Sequence, residues 1–185
     1  MEVYKAKTPT DFERYANECL SGHEGIVIYV SDAPSVWTGQ LPTINRAACA
    51  QKGLVIGTGQ YLGGTIVNMV GDVSICHTSW GVTDFAPDIV NRFAEYMANR
   101  GIEVSRNEND ILANGKKVLS WARCTTYAGW TQSVIHFSVG KMDLELVNLI
   151  CEKPMLKEPG SLLKLGITTI DILSFLNLEE NNGTF

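Results

Sequence analysis

The 185-residue chain contains no Cys-x-x-Cys pair, and its five cysteines, Cys19, Cys49, Cys76, Cys124 and Cys151, are widely spaced. That spacing argues against zinc-ribbon and thioredoxin-like centres, and an odd count does not close a disulfide framework. The three histidines, His23, His77 and His136, stand far apart. Adjacent Cys76 and His77 would point to opposite faces of a strand, so no metal-ligand set is expected. Apolar runs are short, well below the roughly 20 residues a membrane helix needs, and no membrane partner is expected. Basic excess is missing too: 15 Lys and Arg stand against 20 Asp and Glu, a net charge of −5. A nucleic-acid partner is therefore not expected. The first twelve residues hold Lys5, Lys7 and Asp11 and no apolar core, so no secretory signal is read there. Unpaired cysteines without such a signal point to a reducing compartment, the cytoplasm.

What is present describes a folded chain. Hydrophobic residues make up 45% and charged residues 19%, a globular composition at a length suited to one domain. Thr8-Pro9-Thr10-Asp11 starts a helix whose face is Phe12, Tyr15, Ala16, Cys19 and Leu20. Ile26 to Val30 reads as a buried strand, Asn45 to Lys52 as a helix ended by Gly53, and Leu54 to Ile56 as a short strand. Thr65 to Met69 and Val73 to Ser79 read as strands around Gly71-Asp72. A helix follows Thr83 or Asp84, with Phe85, Ile89, Phe93, Tyr96 and Met97 as its apolar stripe. Ile102 to Ser105 reads as a strand. Asp110 to Ala113 and Lys117 to Ala122 flank Asn114-Gly115, a strong hairpin signal. Trp130 to Val139 is a further strand. Asp143 caps Leu144 to Ile150, and Thr168 or Thr169 caps Ile170 to Leu176. The polar tail, residues 179–185, is expected to fray. Strict β-α-β alternation is not read, so hairpins are expected to dominate the middle of an α+β domain.

Three features carry chemistry. The loop Gly57-Thr58-Gly59-Gln60-Tyr61-Leu62-Gly63-Gly64 has four glycines in eight residues, which lets a ligand approach the backbone closely. No lysine follows Gly64, so it is not a P-loop. Asn109-Asp110 opens the hairpin, and Gly115-Lys116-Lys117 closes its turn. Lys116 and Lys117 alternate faces, so one can turn inward towards a phosphate or carboxylate.

In this order the features resemble the lipoate-protein ligase and octanoyl transferase group, related to the catalytic domain of biotin-protein ligases. The family's R-R-x-S-G-G-G-A-V-x-H-D-x-G-N segment is similar to residues 58–72. Its N-D-[LI]-x-x-x-G-x-K-[IV]-x-G-x-A segment is matched more closely, by Asn109 to Ala122. Asp143 to Val147 resembles the D-L-x-x-[LFV] helix, residues 165–169 the K-G-I-[TK]-[ST] helix start, and residues 32–40 the P-x-V-x-x-G segment. The likeness runs from Ile26 to Leu176.

The resemblance implies a fold class: a single α+β domain with mixed or antiparallel sheets flanked by helices, spanning residues 1–178. It also implies an activity. Lipoate or a similar acid would be activated with ATP and magnesium as an acyl-adenylate, then passed to a lysine of a lipoyl domain. Lys117 matches the catalytic lysine, and Gly59, Gly63, Gly64, Thr65, Asn109 and Asp110 are the implied adenylate- and acyl-binding residues. The octanoyl transferase branch implies instead an ATP-free thioester, with Cys151 near the place of its cysteine. Departures are clear: Thr58 and Gly59 replace two arginines, Leu62 replaces a glycine, and Asn68-Met69 replaces a His-Asp pair. Ser120-Trp121 follows where a glycine stands, and Thr131-Gln132-Ser133 replaces H-H-G. Tyr61 and Trp121 are expected to narrow an acyl tunnel, and a non-catalytic binding protein is the remaining alternative. The C-terminal accessory domain of many lipoate ligases has no counterpart in the sequence, so a separate accessory subunit is an implied partner.

Overall fold

A computed structural model describes residues 1–39, 44–59, 65–107, 109–152 and 157–177, and these form two sheets and five α-helices. The strands are β1 Glu2–Ala6, β2 Gly25–Val30, β3 Ser35–Thr38, β4 Val55–Thr58, β5 Thr65–Asn68, β6 Val73–Trp80, β7 Val104–Asn107, β8 Asp110–Ala113, β9 Lys116–Thr125 and β10 Trp130–Phe137. The helices are α1 Pro9–Leu20, α2 Arg46–Gln51, α3 Phe85–Ala98, α4 Leu144–Ile150 and α5 Thr169–Phe175. Seven strands pair in the order β1-β2-β6-β10-β9-β8-β7, and three in the order β4-β3-β5.

Local chemistry sets the helix starts. Thr8 accepts the Asp11 N–H at 3.1 Å, with Pro9 in the first turn where its missing N–H costs nothing. Asn45 and Asp143 cap α2 and α4 in the same way. Thr168 and Asp171 form a reciprocal capping box on α5. Asp84 precedes α3 without a side-chain cap bond.

Two strands escape sequence patterning, and with them two β-α-β units. β1 pairs parallel to β2 across α1, and β3 pairs parallel to β4 across α2. β1 is an edge strand with exposed Glu2 and Lys5, and β3 is four residues long. Neither shows the alternation or apolar run that marks a strand in sequence. The absence of β-α-β alternation read from sequence is corrected accordingly. So is the local relation of β5 and β6: they flank one turn but lie in different sheets. The Ile102 to Ser105 strand is displaced to Val104–Asn107. Gly57 and Thr58, assigned to the glycine loop, complete β4. A Cβ on Gly57 would lie 2.8 Å from the Pro9 carbonyl oxygen, so glycine lets α1 pack against this strand. Residues 60–64, most of the glycine loop, and the tail 179–185 lie outside the described residues.

The large sheet has two occupied faces. On one, Ile75, Phe93, Met97, Ile135, Phe137 and Ile172 join α3 and α5 to the strands. On the other, α1 and the small sheet pack through Phe12, Cys19, Val27, Trp37, Cys76 and Val134. A third apolar cluster holds Val36, Cys49, Val67, Val147 and Ile150, between the small sheet, α2 and α4. Among the described residues no helix is long and apolar enough to cross a membrane.

Candidate functional site

A polar row crosses the large sheet on the face that the small sheet covers. Tyr29, Ser74, His136, Ser120 and Asp110 are cross-strand partners in turn on β2, β6, β10, β9 and β8. The next row, Val30, Val73, Phe137, Leu119 and Ile111, faces the α3 core instead. This is the period of two expected of strands.

Lys117 reaches that polar face through an irregularity. Asn114 (φ 48°) and Gly115 (φ 76°) make the tight turn between β8 and β9. The pairing then runs Leu112 with Lys117 but Ile111 with Leu119, which leaves Val118 as an extra residue. Lys117 and Ser120 are three apart and would face opposite ways in a regular strand; the bulge puts both on the side of Asp110. Lys117 Nζ lies 3.0 Å from Asp110 Oδ1. Lys116, one residue earlier, is exposed and pairs with Glu158.

A second lysine arrives from a distant segment. Lys157 Nζ pairs with the other oxygen of Asp110, Oδ2. Its segment is tied to β9: Lys117 donates its N–H to the Glu158 carbonyl at 2.8 Å, and Gly160 donates to the Lys117 carbonyl at 2.7 Å. A Cβ at Gly160 would fall 2.6 Å from Val118 Cγ1, so only glycine allows this approach.

These groups line a cavity of about 300 Å³. One wall is the polar face, with Asp110, Lys117, Ser120, His136 and Ser138. The opposing wall is Thr65, Ile66 and Val67 of β5, with Met142, Val147 and Cys151 at and beside α4. A small chamber with one polar and one apolar wall suits a small amphipathic ligand.

Burial shifts two groups, His136 of the polar wall and Asp72 beside it, towards their neutral forms. His136 is almost fully buried, and its Nδ1 shares a hydrogen bond with Ser74 Oγ at 3.0 Å. Burial, with the Lys117 charge second, pushes its pKa down to about 3. Its 3.7 Å approach to Asp72 is therefore no ion pair at neutral pH. Burial also pushes Asp72 up to about 6, against the N–H groups of Met69 and Gly140 that it accepts at 2.8 and 2.7 Å. Those bonds anchor the turn between the two sheets. Cys151 is likewise raised by burial, with Cys49 adding to the shift. A nucleophilic thiol needs the opposite displacement.

Of the residues singled out in the sequence, Thr65, Asp110, Lys117 and Cys151 meet in this cavity. Asn109 is exposed and does not line it; its carbonyl accepts the Trp121 N–H at 2.9 Å. Gly59 is buried at the small sheet, donating to the Thr38 carbonyl at 2.9 Å, and is not part of the lining. Gly63, Gly64, Tyr61 and Leu62 lie outside the described residues. Trp121 does not narrow the cavity: it pairs with Ile135 and packs on the α3 core. Sequence reasoning missed His136, Ser138 and Lys157. His136 on β10 and Ser138 just past its end are two apart, a signal in principle. Lys157 lies in no periodic segment, and only tertiary docking reveals it.

No protein-family model matches the sequence, and no curated protein matches it. Solved structures do align along nearly the whole chain. Lipoate-protein ligase A bound with ATP superposes with a TM-score of 0.74 at 12% identity, covering 95% of this chain and 81% of that one. The bi-partite lipoate protein ligase of Thermoplasma acidophilum, described with its E2 lipoyl domain, gives 0.73 at 13% identity, over 96% and 80%. P. falciparum LipL1 in complex with lipoate gives 0.69 at 11% identity; the match covers 99% of this chain but only 64% of that longer one. Biotin protein ligases align as well. The chain therefore has the α+β fold that these lipoate- and biotin-protein ligase structures share.

Proposed function

We propose that the chain is an ATP-dependent acyl ligase of the lipoate-ligase type, with residues 1–178 as its catalytic domain. It would activate lipoate or a similar carboxylic acid as its adenylate and pass the acyl group to a lysine of a lipoyl domain. The observation that carries this reading is Lys117, held at the polar wall of a small amphipathic cavity in this fold. Its ammonium is placed to stabilise charge developing on carbonyl and phosphoryl oxygens. The apolar wall of β5 and α4 would take the acyl chain. Among the described residues no group of three His, Cys, Asp or Glu side chains could hold a metal ion. Magnesium, carried with the ATP phosphates, is part of the proposal. A separate accessory subunit is part of the proposal; the similar Thermoplasma acidophilum ligase is described as bi-partite.

A thioester route through Cys151 has its place in the same cavity, but the raised thiol pKa supports the ATP route over it. The test is intact mass of an unmodified lipoyl domain after incubation with the protein, lipoate or octanoate, and Mg·ATP. The expected result is an acyl mass gain that requires ATP. A gain from octanoyl carrier protein without ATP would move the chemistry to Cys151. No gain in either tube, with folded protein and a full acceptor, would leave a binding role.

A further inference from the structure

We propose that Lys157 is a second cation of the site. Lys117 and Lys157 together form an anion clamp, which Asp110 fills until the carboxylate or phosphoryl oxygens of a ligand replace it. The identity of that ligand, an acyl acid or its activated form, rests on the acyl-ligase reading; the clamp does not.

Asp110 is shared oxygen by oxygen, Oδ1 with Lys117 at 3.0 Å and Oδ2 with Lys157. Two ammonium groups against one carboxylate leave a surplus positive charge. No other acid lines the cavity among its described residues, and His136 is held neutral. The facing wall is apolar, so nothing there offsets the surplus. The carboxylate side chain is 12% exposed, whereas Lys117 and Lys157 are 36% and 26% exposed. An entering anion therefore meets the lysines before it meets Asp110.

The position of Lys157 is built rather than incidental. Two backbone hydrogen bonds around Lys117 fix the segment that carries it, and Gly160 permits that close approach. Residues 158–160 are thereby held beside the Lys117 backbone with Lys157 next to them in the chain, while the long stems stay free to swing. A carboxylate or a phosphoryl group presents two oxygens much as Asp110 does, so either reproduces the same two contacts. The ligand class is a small amphipathic anion: one charged head at the lysines, one chain short enough for about 300 Å³. The same clamp supplies positive charge that the glycine loop, with Thr58 and Gly59 in place of arginines, does not.

Calorimetric titration of the full chain with octanoate and with pyrophosphate tests the clamp and separates the two head groups. The wild type is expected to bind at least one of them, more weakly as salt rises. Lys157→Gln should weaken that binding at least about tenfold, and the exposed control Lys116→Gln should leave it within about twofold. Asp110→Asn removes the internal competitor and should tighten binding; weaker binding there would overturn the displacement. A lysine that merely pins its segment predicts the reverse for Lys157→Gln: a lower melting temperature with unchanged affinity. That result, or no binding of either anion by the wild type, overturns the clamp. Lysine-dependent pyrophosphate binding without octanoate binding or acyl transfer retires the acyl reading and keeps the clamp. Octanoate binding and transfer that survive in Lys157→Gln retire the clamp and keep the acyl reading.

Discussion

Two adjacent lysines separate cleanly once their neighbours are known. Lys117 faces the cavity and Asp110, while Lys116 is exposed beside Glu158. In the mass assay Lys117→Ala is expected to slow acyl transfer by about 10²–10³-fold, the usual loss for a transition-state donor. Lys116→Ala should change it by less than about twofold, since exposed ion pairs contribute little. His136 gives a signed pH prediction. Its folded pKa, about 3, lies below the unfolded value of 6.5. The unfolded chain therefore binds the extra proton, and this residue's contribution falls as pH drops from 6.5 towards 3. Asp72 acts oppositely: its folded pKa, about 6, lies above 3.8, so its ionisation costs stability as pH rises through that window. In His136→Gln only the histidine effect disappears. The unfolding free energy of the variant relative to wild type should shift in the variant's favour by about 1.4 kcal/mol per pH unit lowered within the 6.5 to 3 window. Urea unfolding at pH 7, 6 and 5 measures it; a difference that stays flat would mean His136 is not held neutral.

The site at the element scale is a hairpin and a strap. The Asn-Gly turn was legible because both central residues need positive φ, which Asn114 and Gly115 adopt. The bulge at Val118 was not legible: it comes from how β9 meets β8 on one edge and residues 158–160 and β10 on the other. Gly160→Ala is expected to push the strap from β9, at a cost of about 1–3 kcal/mol, because the new Cβ meets Val118 and the Lys117 carbonyl. It should also lower acyl transfer by displacing Lys157. Equal melting temperature and equal activity would contradict the strap's role. Thr168→Ala removes a cap far from the cavity and should cost about 1 kcal/mol with transfer unchanged.

At the scale of the molecule, the seven-stranded sheet sets a hierarchy of stability. β6 and β10 lie inside it with both edges paired, while β1 and β7 are its borders. Hydrogen exchange should be slowest in peptides 73–80 and 130–137 and fastest in 2–6 and 104–107. Simultaneous exchange of all four would mean the sheet opens as one unit. The sequence by itself determined the helices, the central apolar strands and the hairpin, because caps, periodicity and turn residues act over a few positions. It also named Asp110, Lys117, Thr65 and Cys151. Only the tertiary structure decided that β5 and β6 part into separate sheets, that β1 and β3 complete parallel pairs, and that Lys157 meets Asp110. Each of these depends on backbone hydrogen bonds or charges joining segments distant in the chain. A parallel pair, a strap and an ion pair over 47 positions leave no local period to read.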